Sequence, residues 1–332
     1  MTAAPEPGDY VELLEGILWI RLPIPGALRH INVWLVPTRG GWFLVDTGMR
    51  TDDVQRAWES LEARLPLSSG LEQIVVTHHH PDHFGMARWL SERHGVPVLM
   101  TREAITAATA GLDDRDTGPP WHSDGFVERL GIDLDEPMQA ILRGGIYRRI
   151  VSGAVAAESI AAGATVAGTE RAWDVTVFHG HAPGHACLHD EAAGILISGD
   201  QLLPTISSNI SLYPSNEEED PLGQYLDSLQ ELSTLAADTL VLPAHGRPFA
   251  TLHDRIEALR EEHAGRLADI LDACTTARST SDIVGQLFKL DRLDPLNRLL
   301  ATTEALAHLR HLELRHRLSR RGSGKALRWH SA

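Results

Sequence analysis

The stretch Thr77-His78-His79-His80-Pro81-Asp82-His83-Phe84-Gly85 constrains the fold more than any other part of the chain. The short apolar run Gln73-Ile74-Val75-Val76 precedes it and reads as a buried strand. Met86 to Arg93, which follows, has helical spacing through Met86, Trp89 and Leu90. The histidines therefore sit where a core strand ends and a loop turns into a helix, a rigid base for ligand-bearing residues. His78 and His80 are two apart and point the same way if strand geometry persists, and the turn folds Asp82 and His83 back beside them. His79 alternates away and reads as a packing or solvent histidine. Leaving it aside, three imidazoles and a carboxylate in six residues suit one or two divalent metals of borderline softness.

The same device recurs along the chain. Phe43-Leu44-Val45 runs into Asp46-Thr47-Gly48, and Trp173 to Phe178 runs into His179-Gly180-His181-Ala182-Pro183-Gly184-His185. Ile195-Leu196-Ile197-Ser198 runs into Gly199-Asp200, and Val241-Leu242-Pro243-Ala244 into His245-Gly246. With these motifs in this order, the chain resembles the metallo-β-lactamase-fold hydrolases over roughly residues 10 to 250, in their dinuclear pattern of glyoxalase II-like enzymes, thioesterases and lactonases. The resemblance implies an α/β fold, a four-layer αβ/βα sandwich. It implies that His78, His80 and His181 hold one divalent ion and Asp82, His83 and His245 a second, with Asp200 shared between them. Asp82 and Asp200 are then the catalytic carboxylates. The family writes its turn Thr-Pro-Gly-His-x-Pro-Gly-His with the first His as ligand. Residues 180 to 185 fit that pattern, although His179 and Phe178 stand for Pro and Thr, so the resemblance places His181 on the metal and His185 behind it. Asp46 resembles the family Asp that supports the ligand loop by hydrogen bonds. Closing its own turn with Thr47 and Gly48 is compatible with that role.

At 332 residues and 43% apolar content the chain can bury a sizeable core in one large domain or two. A net charge of −15 argues against a polyanionic partner, since nucleic-acid binding rests on basic patches. Cys187 and Cys274 make no disulfide framework. The absence of a long apolar run or a basic, apolar leader makes a cytoplasmic protein without a membrane partner the expectation.

Between the motifs, Ile17–Leu22, His30–Val36, Trp42–Asp46, Val96–Met100, Trp173–Phe178 and Gly194–Ser198 read as strands. Asp52–Leu65 and Leu222–Leu235 read as amphipathic helices. Residues 103 to about 165 read as a mostly helical insertion beside the metal site, with helices over Arg102–Gly111 and Glu136–Arg149 around a polar stretch, Asp113 to Asp124. Trp121, Met138, Ile141, Leu142, Tyr147 and Ile150 would wall a pocket if it covers the site. Asn216 to Pro221 reads as a solvated acidic loop. Asp254–Cys274, Ser279–Leu287 and Pro295–Leu318 predict a C-terminal helical or winged-helix-like domain over 251–320, with a frayed tail from 321.

Two ions acidify water and polarise a carbonyl, so the resemblance implies that a hydroxide held between them attacks a thioester or ester of a small molecule, such as an acyl-CoA or glutathione conjugate. Zinc is the first expectation for the metal, then manganese or iron. Lactone or β-lactam-like amide hydrolysis is the alternative within small-molecule chemistry. An endoribonuclease of the same family and a non-catalytic interaction module are alternatives of other classes. The absence of a basic stripe speaks against the first, and the complete ligand set against the second. The insertion and the C-terminal helices offer surfaces for a homodimer.

Overall fold

Ile31, Val33 and Leu35 of the strand His30–Pro37 pack to one side and Trp34 and Val36 to the other, and all are fully buried. A strand apolar on both faces needs cover on both. The computed structural model, which describes residues 3–332 apart from 15, 27, 66, 113–124, 133–134, 143–145 and 170, supplies that cover with a second sheet and with helices. Among the described residues, Tyr10–Leu14, Ile17–Pro23, His30–Pro37 and Trp42–Val45 pair antiparallel, and Leu71–Val75, Val98–Met100 and Ala157–Ser159 extend the same sheet in parallel. The other sheet has the order Leu240–Pro243, Ile195–Gly199, His185–Asp190, Asp174–Phe178. Its first pair is parallel and the others antiparallel.

Trp19, Trp34 and Phe43 meet Trp173, Leu188 and Ile197 between the sheets. On the far side of the first sheet, Val54, Trp58 and Leu61 of the helix Asp52–Glu62 and Leu90 of the helix Ala87–His94 cover Ile31 and Val33. On the far side of the second, Leu222, Tyr225 and Leu229 of Pro221–Leu232 and Leu252, Ile256 and Leu259 of Leu252–Ala273 cover Leu196 and Val241. The result is the expected four-layer helix–sheet–sheet–helix sandwich. No helix among the described residues is long and apolar enough to cross a membrane. Cys187 and Cys274 are free and buried.

Several local expectations are corrected. The helix expected over Asp52–Leu65 stops at Glu62, where the amides of Arg64 and Leu65 both close on the Leu61 carbonyl. The helix expected over Glu136–Arg149 is described as Glu136–Leu142 and Ile146–Arg149, and residues 143–145 lie outside the described residues. The polar stretch Asp113 to Asp124, with Trp121, lies outside them as well. The last helix ends at Leu314 rather than Leu318. Leu318–Arg321 then pairs antiparallel with Arg328–Ser331, so the expected frayed tail is a hairpin. Its anchor is Trp329, which is 2% exposed and donates its indole N–H to Thr280 Oγ1 (3.0 Å). The acidic loop is also more than solvated. Asp220 caps the helix Pro221–Leu232 by accepting from the Gly223 amide, and it also meets His311 Nδ1 (3.0 Å) of the C-terminal helix Pro295–Leu314 and Arg315, which caps that helix.

Candidate metal centre

The centre is built on Asp46, which ends the strand Trp42–Val45 with a left-handed backbone (φ 65°). That bend turns a carboxylate under the next strand's end. Asp46 Oδ1 accepts the Thr77 amide (2.8 Å), the Thr77 hydroxyl lies 2.9 Å from Oδ2, and His83 Nδ1 lies 2.7 Å from Oδ2. Each of these contacts fixes a proton. His83 keeps a proton on Nδ1, facing Asp46, which leaves Nε2 as the atom that faces the cavity. The Thr77 hydroxyl donates to Asp46 and so accepts from His78 Nδ1 (3.0 Å), which leaves His78 Nε2 free in the same way. His181 Nδ1 donates to the Asn209 carbonyl (2.9 Å) and His245 Nδ1 to the His30 carbonyl (3.0 Å). Four imidazoles thus turn their Nε2 atoms inward.

Those atoms converge in two groups. His78, His80, His181 and Asp200 form one and Asp82, His83 and His245 the other, with the donor atoms of each within 4.8 Å of one another. His78 Nε2 lies 2.9 Å from His80 Nδ1 and 3.3 Å from His181 Nε2. Asp200 touches both groups: its Oδ2 lies 3.5 Å from His181 Nε2 and from His83 Nε2, and its Oδ1 lies 3.4 Å from His245 Nε2. Asp82 Oδ2 lies 3.3 Å from His245 Nε2. All the expected ligands are therefore brought together. His79 belongs to neither group; its carbonyl accepts the Tyr147 hydroxyl (2.7 Å).

Electrostatics divides the centre. Burial drives His78 and His80 well below the usual imidazole range, and the neighbouring imidazoles push the same way, so both rings are neutral. Burial opposes charge on His83 and His245 too, yet the carboxylates win. Asp46, Asp200 and Asp82 hold His83 well above its ordinary value, and Asp200 and Asp82 lift His245 to about 10. Burial works against ionised Asp200, but His245 and His83 hold its carboxyl well below the usual range. His83 Nε2 and Asp200 Oδ1 are buried without a hydrogen-bond partner. Converging imidazole nitrogens, buried carboxylates and unpartnered polar atoms at one place are what divalent cations satisfy, displacing the protons that His83 and His245 otherwise hold, and an all-nitrogen-and-oxygen set of this kind fits zinc, manganese or iron.

His185 stands behind the ligands. Its Nε2 accepts the Asp200 backbone N–H (3.1 Å), and its ring stacks on His78 with centroids 4.8 Å apart. The approach is so close that a Cβ at Gly199 (φ 52°) would meet the His185 ring at 2.7 Å. Asn32 braces the other side. Its amide donates to the carbonyls of Pro243 (2.8 Å) and Gly246 (3.1 Å), gripping the His245 loop. Sequence reasoning missed Asn32, His30 and Asn209. A polar residue inside the apolar run of His30–Val36 was the available signal for Asn32; His30 and Asn209 act through carbonyl oxygens, which any residue carries.

The insertion does touch the motif. Besides the Tyr147 contact, the Arg50 amide donates to Ile150 (2.8 Å) and the Ser152 amide to Gly85 (2.7 Å), so residues 147–152 run beside residues 79–85. Met138 is buried, and its helix packs on the C-terminal helix. Trp121 and the side chains of Ile141 and Leu142 lie outside the described residues.

Comparison with known proteins agrees with this geometry. The metallo-beta-lactamase superfamily model matches residues 26–245, and the model of a metallo-beta-lactamase-like C-terminal domain matches residues 267–332. A probable metallo-hydrolase of Bacillus subtilis (strain 168), YqjP, is 30% identical over 267 residues, covering 77% of this chain and 79% of its own. A hydroxyacylglutathione hydrolase of Rhodobacter capsulatus is 26% identical over 242 residues, covering 71% and 73%. The crystal structure of a beta-lactamase domain protein from Burkholderia ambifaria is 35% identical and superposes with a TM-score of 0.89, covering 99% of this chain and 96% of that one. The chain belongs to the metallo-beta-lactamase superfamily.

Proposed function

We propose that this metal-dependent hydrolase uses two divalent ions to cleave a thioester or ester of a small molecule. The observation that carries the reading is Asp200, whose two oxygens face donors of both groups. His78, His80 and His181 would hold one ion and Asp82, His83 and His245 the other. Ions there, when bound, acidify a water and polarise a carbonyl oxygen. The chain's own part is positional. Asp46 and Thr77 set the tautomers of His83 and His78, and His185 holds the Asp200 backbone. Asp82 and Asp200 are the carboxylates facing the reaction space, so accepting the proton released there falls to them.

Thioester cleavage is favoured by the likeness to a hydroxyacylglutathione hydrolase. A small substrate is favoured over RNA by the state of the C-terminal arginines. Arg310 pairs with Glu313 and Glu218, Arg315 with Asp220, and Arg320 with Glu313, so these three charges are matched by carboxylates of the chain itself, while Arg317 and Arg321 are exposed. The test is metal content of the purified protein together with turnover of glutathione thioesters, acyl-CoA thioesters, lactones, β-lactams and a single-stranded RNA. The expected result is close to two transition-metal ions per chain and thioester turnover abolished by chelation. Salt-sensitive RNA cleavage without thioester or lactone turnover would overturn the substrate assignment, and full activity after complete metal removal would overturn the mechanism.

A further inference from the structure

One ligand is held from an unexpected direction. His83 and His78 are set by Asp46 and Thr77 on the first sheet, and His245 by the carbonyl of His30, the first residue of a strand in that sheet. His181 is set by the carbonyl of Asn209, in the loop after Asp200. That loop has no regular structure of its own from residue 200 to 213. Its placement comes from the C-terminal helix Pro295–Leu314. The Asn209 side-chain amide donates to the Leu300 carbonyl (3.3 Å) and to Glu304 Oε2 (3.1 Å), and its oxygen accepts the Ser211 hydroxyl (2.5 Å). Ser211 Oγ in turn lies 2.8 Å from Thr303 Oγ1. Both side-chain donors and the acceptor of Asn209 are thus engaged, so its peptide moves only with the helix. Glu304 is itself fixed. It is 7% exposed and its other oxygen accepts from Arg266 of the helix Leu252–Ala273.

We propose that Glu304 is a positioning residue for His181, acting through Asn209, so that the C-terminal region sets the affinity of one metal site and not the other. The inference rests on the reading that His181 is a metal ligand. Its physical basis is that a hydrogen bond to the far nitrogen of a ligating imidazole fixes the tautomer and the ring plane. A slack Asn209 carbonyl lets the ring of His181 turn and lets a proton take Nε2. Among the described residues the imidazoles of the second group bond instead to Asp46 and to the His30 carbonyl, both on the first sheet.

The experiment loads the full-length protein with Co2+, then measures retention of each ion against a competing chelator and the visible cobalt spectrum. The variants are Asn209→Ala, Glu304→Ala, Glu304→Gln and His181→Ala. Asn209→Ala keeps the backbone carbonyl and removes only its anchors. It and Glu304→Ala are expected to weaken one of two ions by about 10–100-fold, the usual effect of losing a partner behind a ligand, with the other ion held as in the parent. Glu304→Gln, whose one oxygen can still accept from Asn209 but only with its NH2 turned toward Arg266, is expected to fall between the parent and Glu304→Ala. Parent-like retention of both ions in Asn209→Ala and Glu304→Ala overturns the proposal, provided His181→Ala loses an ion. So does equal weakening of both ions, which is general destabilisation. If His181→Ala keeps both ions, the ligand reading underneath has failed instead. Should Glu304→Ala not fold, because it leaves Arg266 without this partner, Asn209→Ala decides alone.

Discussion

Replacing Asp46 by Asn tests the core of the site with almost no change of shape. Both carboxylate oxygens already face donors: Oδ1 faces the Thr77 amide at 2.8 Å and Oδ2 faces His83 Nδ1 at 2.7 Å. An amide has one acceptor oxygen, so its NH2 must face one of these two. Turned toward Thr77, it leaves a buried peptide N–H unpaired, a cost of about 1–3 kcal/mol. Turned toward His83, it favours the tautomer with the proton on Nε2, the atom that must coordinate. The variant also gives up a charge-assisted hydrogen bond worth about 1.5–3 kcal/mol. The expected loss at the metal is therefore about 10–100-fold in affinity for the ion on Asp82, His83 and His245, or about 1.4–2.7 kcal/mol. The assay is metal content after dialysis against graded chelator, with kcat/KM and thermal melting of the same samples. The Asp46→Asn protein should retain one ion under conditions where the parent retains two. If it binds both with parental affinity, the argument that Asp46 sets the His83 tautomer is wrong.

His181→Ala should lose an ion and nearly all turnover, whereas His185→Ala, which removes the support under the Asp200 backbone and the ring stacked on His78, should lose about 10–100-fold in activity; the opposite ranking would reverse their roles. Asp220→Asn should lower stability at pH 7. Burial disfavours the charged form of Asp220, but His311, Arg315 and the Gly223 amide hold its carboxyl well below the usual range, so its contribution is full above about pH 5, begins to fade near the ordinary value of about 4 and is lost as the pH falls on through the lowered folded value. Melting curves of parent and variant should be furthest apart at neutral pH and converge in acid; a gap unchanged at low pH would remove the charge from the explanation. Trp329→Ala should cost about 3–5 kcal/mol, as deleting a buried aromatic does, and a denaturant midpoint shifted by much less would return residues 318–331 to the status of a loose tail.

The centre was legible because each candidate ligand follows an apolar run. Chemistry-bearing residues at strand ends announce themselves by spacing, and Asp46, His78 to His83, His181, Asp200 and His245 all do. Where burial is polar the signal vanishes. His185–Asp190 is a central strand, yet His189 and Asp190 hide it from a hydrophobic pattern; Asp190 is 1% exposed because it accepts the Ala193 amide and meets Arg171. Tyr10–Leu14 escaped because its residues are only half-buried at a sheet edge. The hairpin at Leu318 was masked by Arg320-Arg321-Gly322, whose charges face outward while Leu318 and Trp329 are buried. Asn209 left no trace, since neither its loop nor its carbonyl has a periodicity.

The two sheets share the ligands unequally but both are needed. Residues 78 to 83 hang from the first sheet, and His181, Asp200 and His245 from the second. An ion bound by both is therefore a cross-link, a staple across the seam of the sandwich. By mass action, free metal at 100 times its dissociation constant would strengthen the closed form by about 2.7 kcal/mol. Stripping the metal should loosen one half against the other before either half melts. The amide of Asn32, which donates across that seam to the Ala244 carbonyl at 2.7 Å, would then exchange with solvent sooner than the amides inside either sheet.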